Sequence, residues 1–253
     1  KNLGKIVFRW GNRKQKQSWM ELDTSLPPGE LENLFQVEAQ EAQRVDLPEQ
    51  FKTLTGSSTF LQQNARRYLQ KRGITREDIL KWKVGYAGAG DYSGRIIFPS
   101  FDSEGYCNFF TARAYGKEWP NYLNGPGNKD VIFNELYLDW NTPVTLVEGV
   151  FDAIVAGDNS IPILGSTLRK NSKLFQKIAN KGVCVYLALD PDAEKKSLHI
   201  AKNLLEYGVE VYKVNVSPYK DVGEMTKEEF QDRKKKAEIV TNDTFLLQTA
   251  QSI

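Results

Sequence analysis

The chain is poor in the residues that most enzymes use for nucleophilic or metal chemistry. It has one histidine, His199, and two cysteines, Cys107 and Cys184, in 253 residues. No C-x-x-C pair occurs, so the sequence excludes a structural zinc site, and no zinc is expected in this chain. A Ser-His-Asp or Cys-His nucleophile system would have to use His199, which lies inside the helical pattern "AEKKSLHIAKNLLEYG", so hydrolases of that type are disfavoured. The cysteines sit in apolar runs ("GYCNFF", "GVCVYLAL") and read as small core residues of a reduced, cytoplasmic protein. No apolar run is long enough to span a membrane and no signal peptide is visible. Charge of one sign is also missing. Against 34 Lys and Arg stand 32 Asp and Glu, a net charge of +2. Any nucleic-acid surface must therefore be local. The remaining composition, 40% hydrophobic and 26% charged, is that of a globular chain long enough for one large domain or two small ones.

Residues 1–56 carry mixed signals: "KIVFRW" predicts a strand, "GNRKQKQ" a basic turn, and "SLPPGELENLFQVEAQEAQ" a proline break before a polar, partly helical stretch. From residue 58 the pattern sharpens. Apolar or aromatic residues at 60, 61, 65, 68 and 69 mark one helical face, ended by Gly73, and "TREDILKW" predicts a second helix capped by Thr75. "RIIFPSF" and "GYCNFFTARAY" predict two strands joined by the turn "DSEG", with Arg95 and Arg113 at their edges. A Gly-, Pro- and Asn-rich loop follows. After Thr142, strands and helices alternate: "VTLV", "FDAIVAG", "IPIL", "KNSKLFQKIAN", "VCVYLAL", "AEKKSLHIAKNLLEYG", "VEVYKVNV". Such alternation predicts a mostly parallel sheet covered on both faces. "TKEEFQDRKKKAEIV" predicts a helix opened by the capping box of Thr226 and Glu229, with Lys234, Lys235 and Lys236 on a solvated face.

Three strands of this half run into acid. "VTLV" meets Glu148, "VCVYLAL" meets Asp190 and then Asp192, and "VEVYKVNV" leads to Asp221. Parallel strands place all of these at one sheet edge, where α/β proteins bind ligands. Crowded carboxylates repel unless a cation neutralises them, and Mg²⁺ is the hard, oxygen-seeking ion shared between carboxylates and phosphates. Any one of the acids alone reads better as a helix cap or a solvated end. The pattern E-G-x-x-D, then D-x-D, then a further acid is more specific than its parts.

"LVEGVFDAI" with "YLALDPDAEKKS" resembles the TOPRIM domain. "ARRYLQKRGITREDILKWKVGYAG", "SGRIIFPSFDSEGYCNFFTARAYG", "WPNYLNGPGNKDVIFNELYL" and "ILGST" are similar, in order, to the catalytic core of DnaG-type primases. The resemblance spans roughly residues 58–230. It implies an α/β fold with a mostly parallel TOPRIM sheet, helices on both faces, and an N-terminal α+β basic subdomain. The boundaries it implies are an extension at 1–56, the basic subdomain at 57–141, TOPRIM at 142–225 and a C-terminal helical segment at 226–253. It implies RNA primer synthesis from NTPs on single-stranded DNA by metal-dependent nucleotidyl transfer, with two or more Mg²⁺ or Mn²⁺ ions. A phosphodiester-cleaving TOPRIM nuclease, or a non-catalytic module that binds single strands, would use the same residues differently.

The roles implied are these. Glu148, Asp190 and Asp192 are catalytic and, with Asp221, hold metal, while Glu224 accompanies Asp221. Asp152 and Gly149 support them from behind, Asp152 as a helix cap and Gly149 by permitting a tight turn. Arg95, Arg113, Lys117, Arg169 and Lys195 contact template or triphosphate, and Gly165, Ser166 and Thr167 form a turn whose amides face a phosphate. Each arginine reads otherwise as an ordinary strand-end residue. Trp82, Tyr86, Tyr115 and Trp119 are either core or a stacking surface. Asn121 departs from the family, which has lysine before "YLN". A zinc-binding module and a replicative helicase are expected as partners outside the chain, in a bacterial or phage replisome.

Overall fold

The computed structural model describes residues 42–55, 59–165 and 167–241. The strand expected at "KIVFRW", residues 1–41 of the extension, and Ser166 lie outside the described residues.

The first sheet is an antiparallel meander of five strands in sequence order: β1 Phe51–Thr53, β2 Gly85–Ala87, β3 Arg95–Phe101, β4 Cys107–Ala114 and β5 Tyr122–Asn124. Helices α1 Phe60–Lys71 and α2 Arg76–Lys81 connect β1 to β2, each opened by a capping box, Thr59 with Gln62 and Thr75 with Asp78. The β3–β4 turn is held by Asp102, whose Oδ1 accepts the amides of Glu104 at 3.0 Å and Tyr106 at 2.9 Å. Side chains alternate across the pleat. Ile96 and Phe98 enter the main core, while Ile97 joins Phe110 and Ala112 under Val45 on the other face. The helical face differs from the expected one. Ala65, Leu69 and Gln62 are buried, but Phe60 is 75% exposed. Gln62 occupies the inward position of the first turn because its side chain accepts the Thr59 amide at 3.0 Å.

The second sheet follows with β6 Val144–Val147, α3 Val150–Ala156, β7 Ser160–Pro162, α4 Lys173–Lys181, β8 Val185–Ala188, α5 Glu194–Glu206, β9 Val211–Lys213, α6 Lys227–Lys235 and β10 Glu238–Ile239. The strand order is β10-β9-β8-β6-β7, parallel except for β10. The apolar runs "VTLV" and "VYLA" are central strands, as continuous hydrophobicity requires of a sheet covered twice. The chain leaves β6 towards β7 on one side and returns to β8 on the other, so the topological switch point lies between β6 and β8.

Two expectations for the C-terminal segment need correction. The helix ends at Lys235, and Glu238 and Ile239 pair with Lys213 and Tyr212, closing the sheet edge with strand. Lys234 is not on a solvated face. It is half-buried, and its Nζ donates to Thr145 Oγ1 at 2.8 Å and lies 4.8 Å from the Tyr186 ring centroid. The Thr145 hydroxyl, fully buried in a central strand, needs that partner.

The two sheets share a core. Phe151 of α3, 4% exposed, meets Phe98 of β3 edge-on at 5.2 Å and Tyr68 of α1 at 6.3 Å, with the Arg72 guanidinium 4.7 Å from its centroid. The residue three places after Glu148 thus docks the acid-bearing sheet against the arginine-bearing one.

Candidate active site

Strand register brings the acids together. Val147 pairs with Ala188, so Glu148 leaves β6 level with the residue after β8, and Asp190 follows one step later. A 3₁₀ turn, Pro191–Ala193, carries Asp192, which is exposed. Asp221 stands at the start of a second 3₁₀ turn, Val222–Glu224.

Asp152 ties these pieces to one another. Its Oδ2 accepts the Gly149 amide at 2.8 Å and its Oδ1 the Gly223 amide at 2.8 Å, joining the end of β6 to the turn after Asp221. Gly223 allows this approach, because a Cβ there would lie 3.1 Å from Asp152 Oδ1 and 3.2 Å from Asp221 Oδ1. Burial, with the Asp221 charge adding, lifts the Asp152 carboxyl to about 6 against the pull of its two backbone amides. Asp190 is pushed up to about 7, first by burial and then by the charges of Asp152, Glu148, Asp221 and Asp192. These are neighbouring carboxylates short of positive charge.

One cation from the chain enters the cluster. Lys196 of α5 donates to Glu148 Oε2 at 3.1 Å, with both side chains about four-fifths buried (21% and 19% exposed). Sequence reasoning chose Lys195, which is exposed. Lys196, not singled out from sequence, lies one helical turn beyond Asp192 and so over the same strand ends.

Among the described residues, no group of three His, Cys, Asp or Glu side chains already stands ready to hold a metal ion. Lys196 engages one acid and backbone amides occupy another. The oxygens left over point the other way. Glu148 Oε1, Asp190 Oδ1 and Asp221 Oδ1 are buried without a hydrogen-bond partner, three of the five such side-chain atoms among the described residues. Buried acceptors cost free energy when unmade, and a set of carboxylate oxygens is the donor set of a hard divalent cation. The residues present therefore fit one.

The first sheet supplies the opposite wall. Arg113 donates from Nε to Tyr68 Oη at 3.1 Å and lies 4.8 Å from the Tyr122 ring centroid. Tyr122 keeps 43% of its surface exposed, yet its hydroxyl lies among Arg113, Arg72, Asp152 and Tyr68, and burial pushes its pKa up to about 12. Arg72 and Tyr122, not singled out from sequence, thus flank the acids. Arg72 follows a capped helix, a position the sequence did show. Arg95 is 3% exposed. Its Nη1 donates to the Pro120 carbonyl at 2.6 Å and its Nε has no partner. Lys117 is exposed on the β4–β5 loop. Gly165 (φ +72°), Thr167 and Arg169 line a separate cavity of about 600 Å³ with Asn128, Lys129 and Asp130, and none of the acids reaches its wall. Trp82 and Tyr86 are core residues, whereas Trp119 is exposed.

An acid cluster at the switch point of a mostly parallel sheet, with Arg113 of the antiparallel sheet on the opposite wall, makes this α/β fold a candidate phosphate-handling site. The comparisons give that class a family likeness. No family model matches the chain. The DNA primase of Thermotoga maritima is 27% identical over 221 residues, covering 68% of this chain and 39% of the relative. The DNA primase of Escherichia coli K12 is 24% identical over 192 residues, 54% of this chain and 33% of its own length. The chain thus spans little more than a third of the curated relatives it matches. The structure of a DnaG primase catalytic domain bound to ssDNA superimposes with a TM-score of 0.64 at 19% identity, over 76% of each chain. The Aquifex aeolicus primase structure with zinc-binding and RNA polymerase domains gives 0.59 at 23%, over 70% of this chain and 56% of the other. The fold is that of the DnaG-type primase catalytic core.

Proposed function

We propose that the chain is the catalytic core of a DNA primase, making RNA primers on single-stranded DNA by transferring nucleotides from NTPs. The observation that carries this reading is the set of three unpartnered, buried carboxylate oxygens at the switch point, Glu148 Oε1, Asp190 Oδ1 and Asp221 Oδ1. The related DNA primases support it, as does the neighbour whose structure holds ssDNA.

On this reading residues 142–225 form a TOPRIM domain, and Glu148, Asp190, Asp192 and Asp221 hold Mg²⁺ or Mn²⁺. When bound, such ions neutralise phosphate charge and lower the pKa of an attacking hydroxyl. The chain's own groups do the remaining work. Asp152 fixes the relative position of Glu148 and Asp221 through the Gly149 and Gly223 amides. Lys196 holds one Glu148 oxygen and leaves the other free. Arg113, backed by Tyr68, presents a guanidinium suited to paired bonds with phosphate oxygens. Arg95 secures the β4–β5 loop from within. A zinc-binding module, which helps read the initiation site, and a replicative helicase act as partners supplied outside residues 42–241. Among the described residues no helix is long and apolar enough to cross a membrane, in keeping with work in a replisome in the cytoplasm.

The test is primer synthesis on single-stranded DNA with labelled NTPs and Mg²⁺ or Mn²⁺, comparing wild type with Asp190→Ala. Oligoribonucleotides from wild type alone are expected. No product from wild type, even with a zinc module added, refutes the reading. Product from both refutes the acid assignment.

A further inference from the structure

The loop from Tyr115 to Asn121 is anchored at both ends and at Glu118. The Glu118 carboxylate folds back over two glycines, so that a Cβ on Gly94 or Gly116 would stand 2.3 or 2.8 Å from its oxygens. The Pro120 carbonyl accepts the buried Arg95 guanidinium at 2.6 Å, and the Asn121 carbonyl accepts the Ala114 amide at 2.9 Å. The Tyr115 amide donates to the Gly94 carbonyl at 3.3 Å. Between these anchors Trp119 turns outward and is 84% exposed, more than any other large hydrophobic side chain described. Burying a guanidinium is expensive unless it gains something. Here the gain is the fixed shape of a loop that holds an indole in water.

The surroundings say what that indole suits. Three residues on, the half-exposed Tyr122 ring carries the Arg113 guanidinium 4.8 Å from its centroid. Lys117 is exposed two residues before it, and Glu118 and Asn121 complete a polar surround. An aliphatic partner would need a continuous apolar surface. A flat ring with polar edges on a charged backbone needs aromatic faces interleaved with cations, which is what β5 and its loop present.

We infer that Trp119 is a stacking platform for a base of the single-stranded template beside β5. This rests on the primase reading and adds to it a contact that tolerates any base and contributes affinity by stacking rather than by charge.

The test is binding of the full chain to a fluorescently labelled deoxythymidine oligonucleotide, followed by anisotropy across a salt series. Trp119→Ala is expected to weaken binding roughly 5- to 150-fold, as loss of one base–aromatic stack does. Its log–log salt slope should match that of wild type, because no phosphate contact is removed. Trp119→Phe should recover most of the affinity. On a strand carrying abasic sites in place of the bases, wild type and Trp119→Ala should bind within about twofold of each other. The inference is overturned if Trp119→Ala binds like wild type. It is also overturned if the loss persists on the abasic strand or the salt slope falls. Failure of the wild type to bind any single strand would bring down the primase reading as well, which separates the two failures.

Discussion

Replacing Asp190 by Asn interrogates the acid cluster without any substrate. Burial and four neighbouring carboxylates raise Asp190 in the folded chain from 3.8 to about 7, whereas the unfolded chain leaves it at its ordinary value. A raised acid binds its proton more tightly when folded. The folded state therefore loses stability as pH climbs from 3.8 towards 7, and the whole penalty is present at pH 8. Roughly three pK units at ~1.4 kcal/mol each set a ceiling of ~4 kcal/mol. Asp190 is only half-buried, and solvent screening brings the expected relief to ~1–2 kcal/mol. For a chain of this size each kcal/mol moves Tm by ~2–4 °C. Asp190→Asn should therefore raise the Tm of the metal-free protein at pH 8 by ~2–8 °C. At pH 5, where part of the folded Asp190 is already protonated, the gain should be smaller than at pH 8. Added Mg²⁺ should raise the wild-type Tm and leave that of the variant nearly unmoved. Calorimetric or circular-dichroism melts at the two pH values decide it. No gain at pH 8, or an equal gain at pH 5, would refute the picture of an under-neutralised cluster.

Four further outcomes follow from the geometry. Phe151→Ala removes the ring that joins the sheets and should cost ~3–5 kcal/mol in urea unfolding. Asp152→Ala frees two half-buried amides, Gly149 and Gly223, and should cost ~1–2 kcal/mol in the same measurement. Arg113→Ala should lower the log–log salt slope of DNA binding by about one, while Arg95→Ala should reduce stability and leave that slope alone. Lys227 bonds Asp78 at 2.5 Å. Burial pushes Asp78 up, but hydrogen bonds from Lys227 and Thr75 more than offset it and hold its pKa below 3.8. Lys227→Ala should therefore cost ~1 kcal/mol at neutral pH, and the deficit should fade as pH drops below 3.8.

The second sheet was the more readable half because its signals are cooperative. "VTLV" and "VCVYLAL" are too apolar for an edge, and once they are parallel neighbours the acids after them must meet. The N-cap at Thr75 and the capping box at Thr226 likewise announce themselves within four residues. Side-chain direction was less legible. Arg95 and Arg113 look alike as strand-end arginines, yet one is buried against Pro120 and the other faces Tyr122. That choice depends on pleat phase and on a loop 25 residues away. Lys195 and Lys196 differ by one step of a helix whose phase is set by the 3₁₀ turn at Pro191–Ala193, and the apolar pattern does not encode that turn. Lys234 reads as one of three surface lysines because its partner, Thr145, is 89 positions distant. Strand β10 has two residues, too few for any periodicity.

The most direct test of the account supplies a ready-made primer and so reads elongation alone. A short RNA annealed to single-stranded DNA is supplied with the complementary labelled NTP and Mn²⁺. Wild type should extend it by the templated nucleotide with release of pyrophosphate, and Asp190→Ala and Glu148→Ala should be slower by a factor of 10² or more, on the order expected for losing a residue that holds the catalytic cation. Extension that ignores the template base, or that proceeds equally in both variants, would contradict the claim that these strand-end acids form the active site of a template-directed polymerase.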